Sequence, residues 1–406
     1  MSASEMSHPL EDLKVVDLTT MINGPYCAMM LSDLGAEVVK VEPEDGDPWR
    51  GVAGGFMAYN RGKRSLSVDL KKDAGKEIAR RLIARADVLI ENARWGVWHK
   101  LGLDYDSVRA FNPNLIYLSS LGHGSRGPYR STPGYDPLFQ ARSGQMVDQG
   151  GRGRPPVYHR IAVNDLACPM LGAFGVVLGL LARERTGQGQ RVETSLTNAS
   201  IALQACEFLD FEGYERPDPG GPGVLGLSAT HRYYRTADDR WVVVLVAKET
   251  HWPALCRTLG LEHLAADPRF STPQARAERD AELADLLAVA FAARTSKEIL
   301  AALAEADVPA ALGQTHDELM DDAHVRVNRL LDERDHPEHG RVRQVGIGPA
   351  FSDMTGLIRR PAPMLGQHTE EILGELGYAP EEIARLLAER VVFKAEPPDA
   401  DASQAP

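Results

Sequence analysis

The sequence predicts an α/β protein with a Rossmann-like large domain, built on a parallel sheet, and a second, smaller α/β domain. Three observations carry this. Short Val-, Leu- and Ile-rich runs alternate with helical patterns from Leu13 to Ser120, and strands separated by helices imply a parallel sheet covered on both faces. A Pro- and Gly-rich break at Arg216–Gly223 interrupts the chain. Beyond it a different order begins, with two paired strands followed by Ala-rich helices.

In chain order, Leu13–Leu18 reads as a buried strand, followed by a Gly24-Pro25 break and an apolar helical stretch over Tyr26–Leu34. Ala36–Val41 is the next strand. A helix over Ala74–Ala86, a strand at Asp87–Ile90, short helices to about Phe111 and a strand at Asn114–Ser120 repeat the alternation. Leu166–Leu181 is apolar on every side and predicts a helix buried on nearly all faces, with Gly172, Gly175 and Gly179 permitting close backbone approach. A strand at Arg191–Ser195 and a helix over Asn198–Phe208 precede the break, which sets the domain boundary. After it, His231–Arg235 and Trp241–Ala247 pair around the turn Ala237–Arg240, and helices continue to about Ala306. Helices over Glu370–Leu376 and after Pro380 close the pattern, and Glu396–Pro406 has the composition of a disordered tail.

A net charge of -12 excludes general nucleic-acid binding, which needs clustered Lys and Arg to meet phosphates. The four cysteines are widely spaced, with no C-x-x-C pair and no His at metal-ligand spacing, so reduced thiols and no metal site are expected. No basic, apolar leader opens the sequence, and no apolar run is read as membrane-spanning. A cytoplasmic protein without membrane partners is the expectation.

Gly122–Gly127 matches G-x-G-x-x-G after a strand, but Pro128 and Ser131–Gly134 stand where a dinucleotide site needs a helix to begin. Neither a Walker motif nor a hydrolase signature is present. Asp165 stands between a polar loop and the long apolar helix. Spacing alone favours a helix cap, while a carboxylate there would also serve as a nucleophile toward a thioester carbonyl. Arg61, Lys63 and Arg64, with Arg94 and Lys100, read singly as solvated surface charges and together as a basic pocket for a polyphosphate-bearing molecule.

One set of strings has a more specific meaning. Asp17–Thr19, Asn23–Cys27, Leu31–Glu42, Asn60 with Lys63–Ser65, Asp87–Asn92, Leu101–Leu103, Asn112–Tyr117, Gly134–Asp136, Arg183–Gln190 and Arg360–Thr369 occur in an order that resembles the class III CoA-transferases. The resemblance runs from Leu10 to about Val392. It implies coenzyme A thioesters as substrates, no permanently bound cofactor, and a nucleophilic aspartate at Asp165 that forms mixed-anhydride and aspartyl-CoA thioester intermediates. It further implies CoA contacts at Ile22, Asn23, Val68, Asp69, Lys71, Asn92, Ala93, Arg94, Lys100, Thr132, Pro133, Gly134 and Tyr135.

Ala93 and Trp95 depart from the family pattern, which implies altered contacts to the adenine end, and Pro43 stands where some members carry an arginine, which leaves Lys40, Arg94 and Lys100 to meet the phosphates. The resemblance makes the large domain discontinuous, residues 1–225 and 330–406, with the small domain at 226–329, and implies an interlocked, ring-like homodimer. The related α-methylacyl-CoA racemases use a histidine where Tyr135 stands. A tyrosine is a poor base at neutral pH, which makes racemisation the second reading and a non-catalytic CoA-binding protein the third. The donor and acceptor acids are not encoded in these motifs.

Overall fold

The computed structural model describes residues 8–151, 153–214 and 225–394. The linker expected at 216–223 and the tail at 396–406 lie outside the described residues. The chain divides into two compact units, one within Met1–Ser143, His159–Phe208 and His324–Pro406, the other within Gly144–Tyr158 and Leu209–Ala323.

Seven strands form the sheet of the first unit: β1 (Lys14–Asp17), β2 (Glu37–Glu42), β3 (Arg64–Val68), β4 (Val88–Glu91), β5 (Ile116–Leu121), β6 (Gln190–Ser195) and, from the end of the chain, a two-residue strand at Val392–Phe393. Their spatial order is Val392–Phe393, β3, β2, β1, β4, β5, β6. All neighbouring pairs are parallel except the terminal strand, which runs antiparallel against β3. The six-strand order is the doubly wound one expected for a Rossmann-like domain.

Two-residue periodicity sends neighbouring side chains to opposite faces. Val16, Val39, Leu66 and Leu89 join Ile78, Ile83, Ile372 and Leu373 in one core. Val15, Val38, Val88, Ile90, Ile116 and Leu118 join Cys27, Leu31 and Val176 in another. Helices therefore cover both faces, Asp73–Ala84 and Thr369–Glu375 on the first, Asn23–Asp33 and Val163–Thr186 on the second.

The long helix departs from the sequence reading. Only the side that carries Cys168, Gly172, Val176 and Gly179 is covered: a Cβ on Gly172 would stand 3.1 Å from Leu118, and one on Gly179 3.1 Å from Ile116. On the other side Met170, Leu171, Phe174, Val177, Leu178 and Leu181 are exposed, Phe174 at 63%. The helix is not buried on nearly all sides, because hydropathy reports that a residue avoids water and not which surface covers it. Its 24 residues also reach the length and composition of a membrane-crossing helix, which corrects the expectation that no segment would.

A hairpin of Leu331–His336 and Gly340–Val345 completes the first unit's strands. In the second unit, strands Gly226–Ser228, His231–Arg235, Trp241–Leu245 and Ala310–Leu312 form an antiparallel sheet. Its core packs Val242, Val244, Trp252, Leu255, Phe270 and Leu287, with Tyr234 stacked on Phe291 at 4.7 Å.

Because Gly179 sits where helix and sheet are in contact, Gly179→Val forces a branched side chain against Ile116. Overpacking of this kind costs about 1–3 kcal/mol, and chemical denaturation is expected to show a loss in that range.

Candidate active site

In a doubly wound sheet, ligands bind outside the carboxyl ends of the strands, where the strand order reverses. Here that point lies between β1 and β4, and one side chain bridges it. Asn92, just past β4, accepts from the Thr20 N–H at 3.0 Å and donates to the Thr20 carbonyl at 2.8 Å, just past β1. The next residues, Ile22 and Asn23, are buried and open the Asn23–Asp33 helix.

Asn23 is tied in turn to the long helix. Ser120 Oγ, at the end of β5, donates to Asn23 Oδ1 at 2.8 Å and lies 3.5 Å from Cys168 Sγ, which itself lies 3.7 Å from Thr194 Oγ1. Cys168 sits three residues after Asp165, on the same helix face. The ends of β1, β4 and β5 and the start of the long helix thus converge.

Asp165 occupies the third position of the Val163–Thr186 helix. The capping role that its position suggested belongs to a different residue. Asp136 Oδ1, at the start of the Asp136–Arg142 helix, accepts from the backbone N–H of Asn164 at 2.8 Å and of Asp165 at 3.1 Å. Gln140 donates to the other Asp136 oxygen and to the carbonyls of His159 and Ile161, holding the polar loop in place. Asp136 is fully buried. Pro169, inside the helix, has no N–H to offer the Asp165 carbonyl four residues back.

The consequence is a half-buried carboxylate relieved of capping. Burial pushes the Asp165 carboxyl up, the negative charge of Asp136 pushes it further, and it titrates at about 7. Tyr59, whose ring lies 5.4 Å from that of Tyr26, feels the Asp165 charge as well, and burial is the main cause that raises its hydroxyl.

The other expected contacts are distributed as follows. Thr132, Pro133, Gly134 and Tyr135 form the exposed to half-buried loop leading into Asp136, with Tyr135 57% exposed. That loop packs on Gly122: a Cβ on Gly134 would stand 3.2 Å from the Gly122 backbone and 2.9 Å from the Phe139 ring. The G-x-G-x-x-G loop therefore borders the site without opening a helix. Ala93 donates its N–H to Glu91 at 3.0 Å, while Arg94 and Lys100 are exposed. Val68 is buried at the edge of β3, and Asp69 and Lys71 follow in the turn.

The cations read as a basic pocket are elsewhere engaged. Arg61 pairs with Asp33 at 2.7 Å, Lys63 with Asp17 at 2.8 Å, and Arg64 with Glu37, Glu371 and Glu375. All three are buried, so none is a solvated surface charge. Lys40, expected to meet phosphate, is completely buried and pairs with Asp47 at 3.0 Å. Arg94 and Lys100 remain as the exposed cations of that set.

The comparisons with known proteins agree with this architecture. The model of CoA-transferase family III matches residues 10–369. The chain belongs to this family. It is 32% identical to a succinyl-CoA–D-citramalate CoA-transferase of Chloroflexus aurantiacus, over 97% of this chain and 100% of the relative. A succinyl-CoA:mesaconate CoA-transferase of Haloarcula hispanica is 34% identical, with 91% and 96% covered, and a mouse succinyl-CoA:glutarate CoA-transferase is 30% identical, with 96% and 91% covered. Among solved structures, a CaiB/BaiF family protein of Brucella suis superposes with a TM-score of 0.82 at 33% identity, covering 91% of this chain and 100% of its own. The protein is thus a class III CoA-transferase, an enzyme that exchanges coenzyme A between an acyl-CoA and a carboxylic acid.

The sequence places Asp136 in the Gly134–Asp136 motif without marking it as a site residue. An Asp before Pro137 reads as the start of its own helix, and nothing local indicates that it caps another helix 28 residues on.

The elevated Asp165 pKa makes a thermodynamic prediction. A carboxyl whose native pKa is raised stabilises the fold at pH values below its unfolded pKa, near 4, and loses that contribution as pH rises to about 7. Asp165→Asn is therefore expected to raise the melting temperature more at pH 8 than at pH 5. An equal shift at both pH values contradicts the assignment.

Proposed function

We propose that Asp165 is the covalent nucleophile of this transferase. Its carboxylate attacks the thioester carbonyl of the donor, giving a mixed anhydride and releasing CoA thiolate. The thiolate then attacks the aspartyl carbonyl, forming an aspartyl-CoA thioester and freeing the donor acid. The acceptor carboxylate then attacks the aspartyl thioester carbonyl and expels CoA thiolate, giving a second mixed anhydride, and the thiolate attacks the acceptor's acyl carbonyl to give the new acyl-CoA and release the Asp165 carboxylate. Every bond made is matched by one broken, and no net proton is consumed.

The observation that carries this reading is the state of the Asp165 carboxyl: half-buried, freed from capping by Asp136, and raised by burial and by the Asp136 charge. A poorly solvated carboxylate is a better nucleophile than a hydrated one. Its raised pKa also leaves it ionised in only part of the population at neutral pH.

The names of the relatives support a narrower version, in which succinyl-CoA is the donor and a small dicarboxylic acid the acceptor. CoA lies along Ile22, Asn23, Ala93, Arg94, Lys100 and the Thr132–Tyr135 loop, with Arg94 and Lys100 toward its phosphates. Asn92, by contrast, fixes the Thr20 backbone. The enzyme works in the cytoplasm as a homodimer, and the exposed apolar side of the Val163–Thr186 helix is the surface a second copy covers.

Mass spectrometry after incubation with succinyl-CoA and borohydride or hydroxylamine trapping is expected to find the Asp165 peptide modified, and Asp165→Asn to lack both the mark and turnover. In the same assay kcat/KM should rise with pH through an inflection near 7, since the ionised form reacts. Unmodified Asp165 under turnover conditions rules the covalent reading out. Phe174→Asp places a charge on the apolar helix side, and analytical ultracentrifugation is expected to show a smaller species than wild type. An unchanged mass means that this face is not the interface.

A further inference from the structure

The segment Thr19–Met21 at the end of β1 is held with unusual completeness. Asp17 Oδ1 accepts from the Thr19 N–H at 2.9 Å and from its hydroxyl at 2.5 Å. Lys40 Nζ donates to the Thr19 carbonyl at 2.7 Å. Asn92 takes both backbone groups of Thr20. Both carboxylate oxygens of Asp47 accept from the Met21 N–H, at 3.1 and 3.2 Å. Four side chains from four different places in the sequence thus fix consecutive peptide groups.

The reason for such restraint lies at Met21. Its φ is +72°, the left-handed region that residues with a Cβ enter only when their surroundings over-determine them. Asp47 is the group that reaches this peptide, and it is itself locked: it accepts from the Trp49 N–H at 2.9 Å, donates its own N–H to Glu42 at 3.1 Å, and pairs with Lys40 at 3.0 Å. The side chains of Lys40 and Asp47 are both completely inaccessible. Removing two charges from water to hold this turn is an expensive way to gain stability alone, and it yields a fixed geometry at a strained residue. The residues that follow are Ile22 and Asn23, and Asn23 is linked through Ser120 to Cys168, one turn below Asp165.

We propose that Asp47 is a positioning residue for CoA transfer. It holds the Met21 peptide in its left-handed conformation, and this sets Ile22 and Asn23 in place to receive the CoA thioester. The assignment rests on the reading of Ile22 and Asn23 as CoA contacts and does not require Asp165 to be the nucleophile.

The test uses the full-length protein and a succinyl-CoA donor, with KM for donor and acceptor measured separately and binding of free CoA followed by calorimetry. Asp47→Asn combined with Lys40→Met removes the pair together, so that neither charge is left buried alone. This variant is expected to raise the donor KM and the CoA dissociation constant about tenfold to a hundredfold, the scale of a displaced contact, with the acceptor KM within about twofold. Adding Met21→Gly should recover most of the loss, because glycine takes a positive φ unaided. Met21→Val, at a half-buried position with Asp47 intact, should weaken CoA in the same way, since a branched residue resists that φ.

Lower melting temperature and lower maximal rate with an unchanged donor KM and CoA affinity would make Asp47 purely structural and overturn the proposal. So would absence of rescue by Met21→Gly together with wild-type CoA affinity in Met21→Val. Because CoA affinity is read without turnover, failure of the Asp165 mechanism leaves this result independently interpretable.

Discussion

The site rests on one carboxylate capping a helix that is not its own. A helix begins with backbone N–H groups that lack intrahelical partners, and in this protein Asp136 supplies an acceptor from outside to two of them. That single arrangement anchors the start of the long helix, ties the loop before it through Gln140, and relieves Asp165 of any capping duty. It also puts a negative charge close to Asp165, which joins burial in raising that carboxyl. Position, freedom and basicity of one side chain thus follow from the placement of another.

The surrounding scaffold uses charge in the opposite manner. Asp17, Lys63, Lys40 and Asp47 form a fully buried set at the end of the sheet. Burial by itself would raise Asp17, but Lys63 and Lys40 outweigh it and hold the carboxyl at about 2. Lys63 is drawn down to about 8 mainly by burial, Asp17 offsetting only part of this. Such groups are satisfied and immobile, whereas Asp165 is destabilised and available. The contrast separates side chains that define geometry from the one suited to react.

Much of this was legible in the sequence. The parallel strands, the helices between them and the second unit's paired strands follow from periodicity, with ends displaced by a few residues: the helix expected at Tyr26–Leu34 spans Asn23–Asp33. Asp165 was identifiable from its motif context. What was not legible depends on partners remote in sequence. Arg61, Lys63 and Arg64 look like a surface patch until Asp33, Asp17 and Glu371 are brought beside them. The cover of the Val163–Thr186 helix is unreadable for the same reason, since its sequence is equally apolar on the side that meets the sheet and the side that does not. Local chemistry specifies an element; its neighbours are settled only by the whole chain.

The sheet edge at β3 carries a consequence for how the protein is made. β3 is closed by Val392–Phe393, paired with residues more than three hundred positions earlier. On a ribosome, β3 emerges long before its cover exists, and unpaired strand edges template wrong associations. Contacts of such sequence separation also form slowly. The first unit must therefore wait, with one flank unsealed, while the entire second unit is synthesised. Its yield in cells should depend on translation speed and on chaperones that shield nascent chains, a vulnerability rooted in topology and unrelated to catalysis.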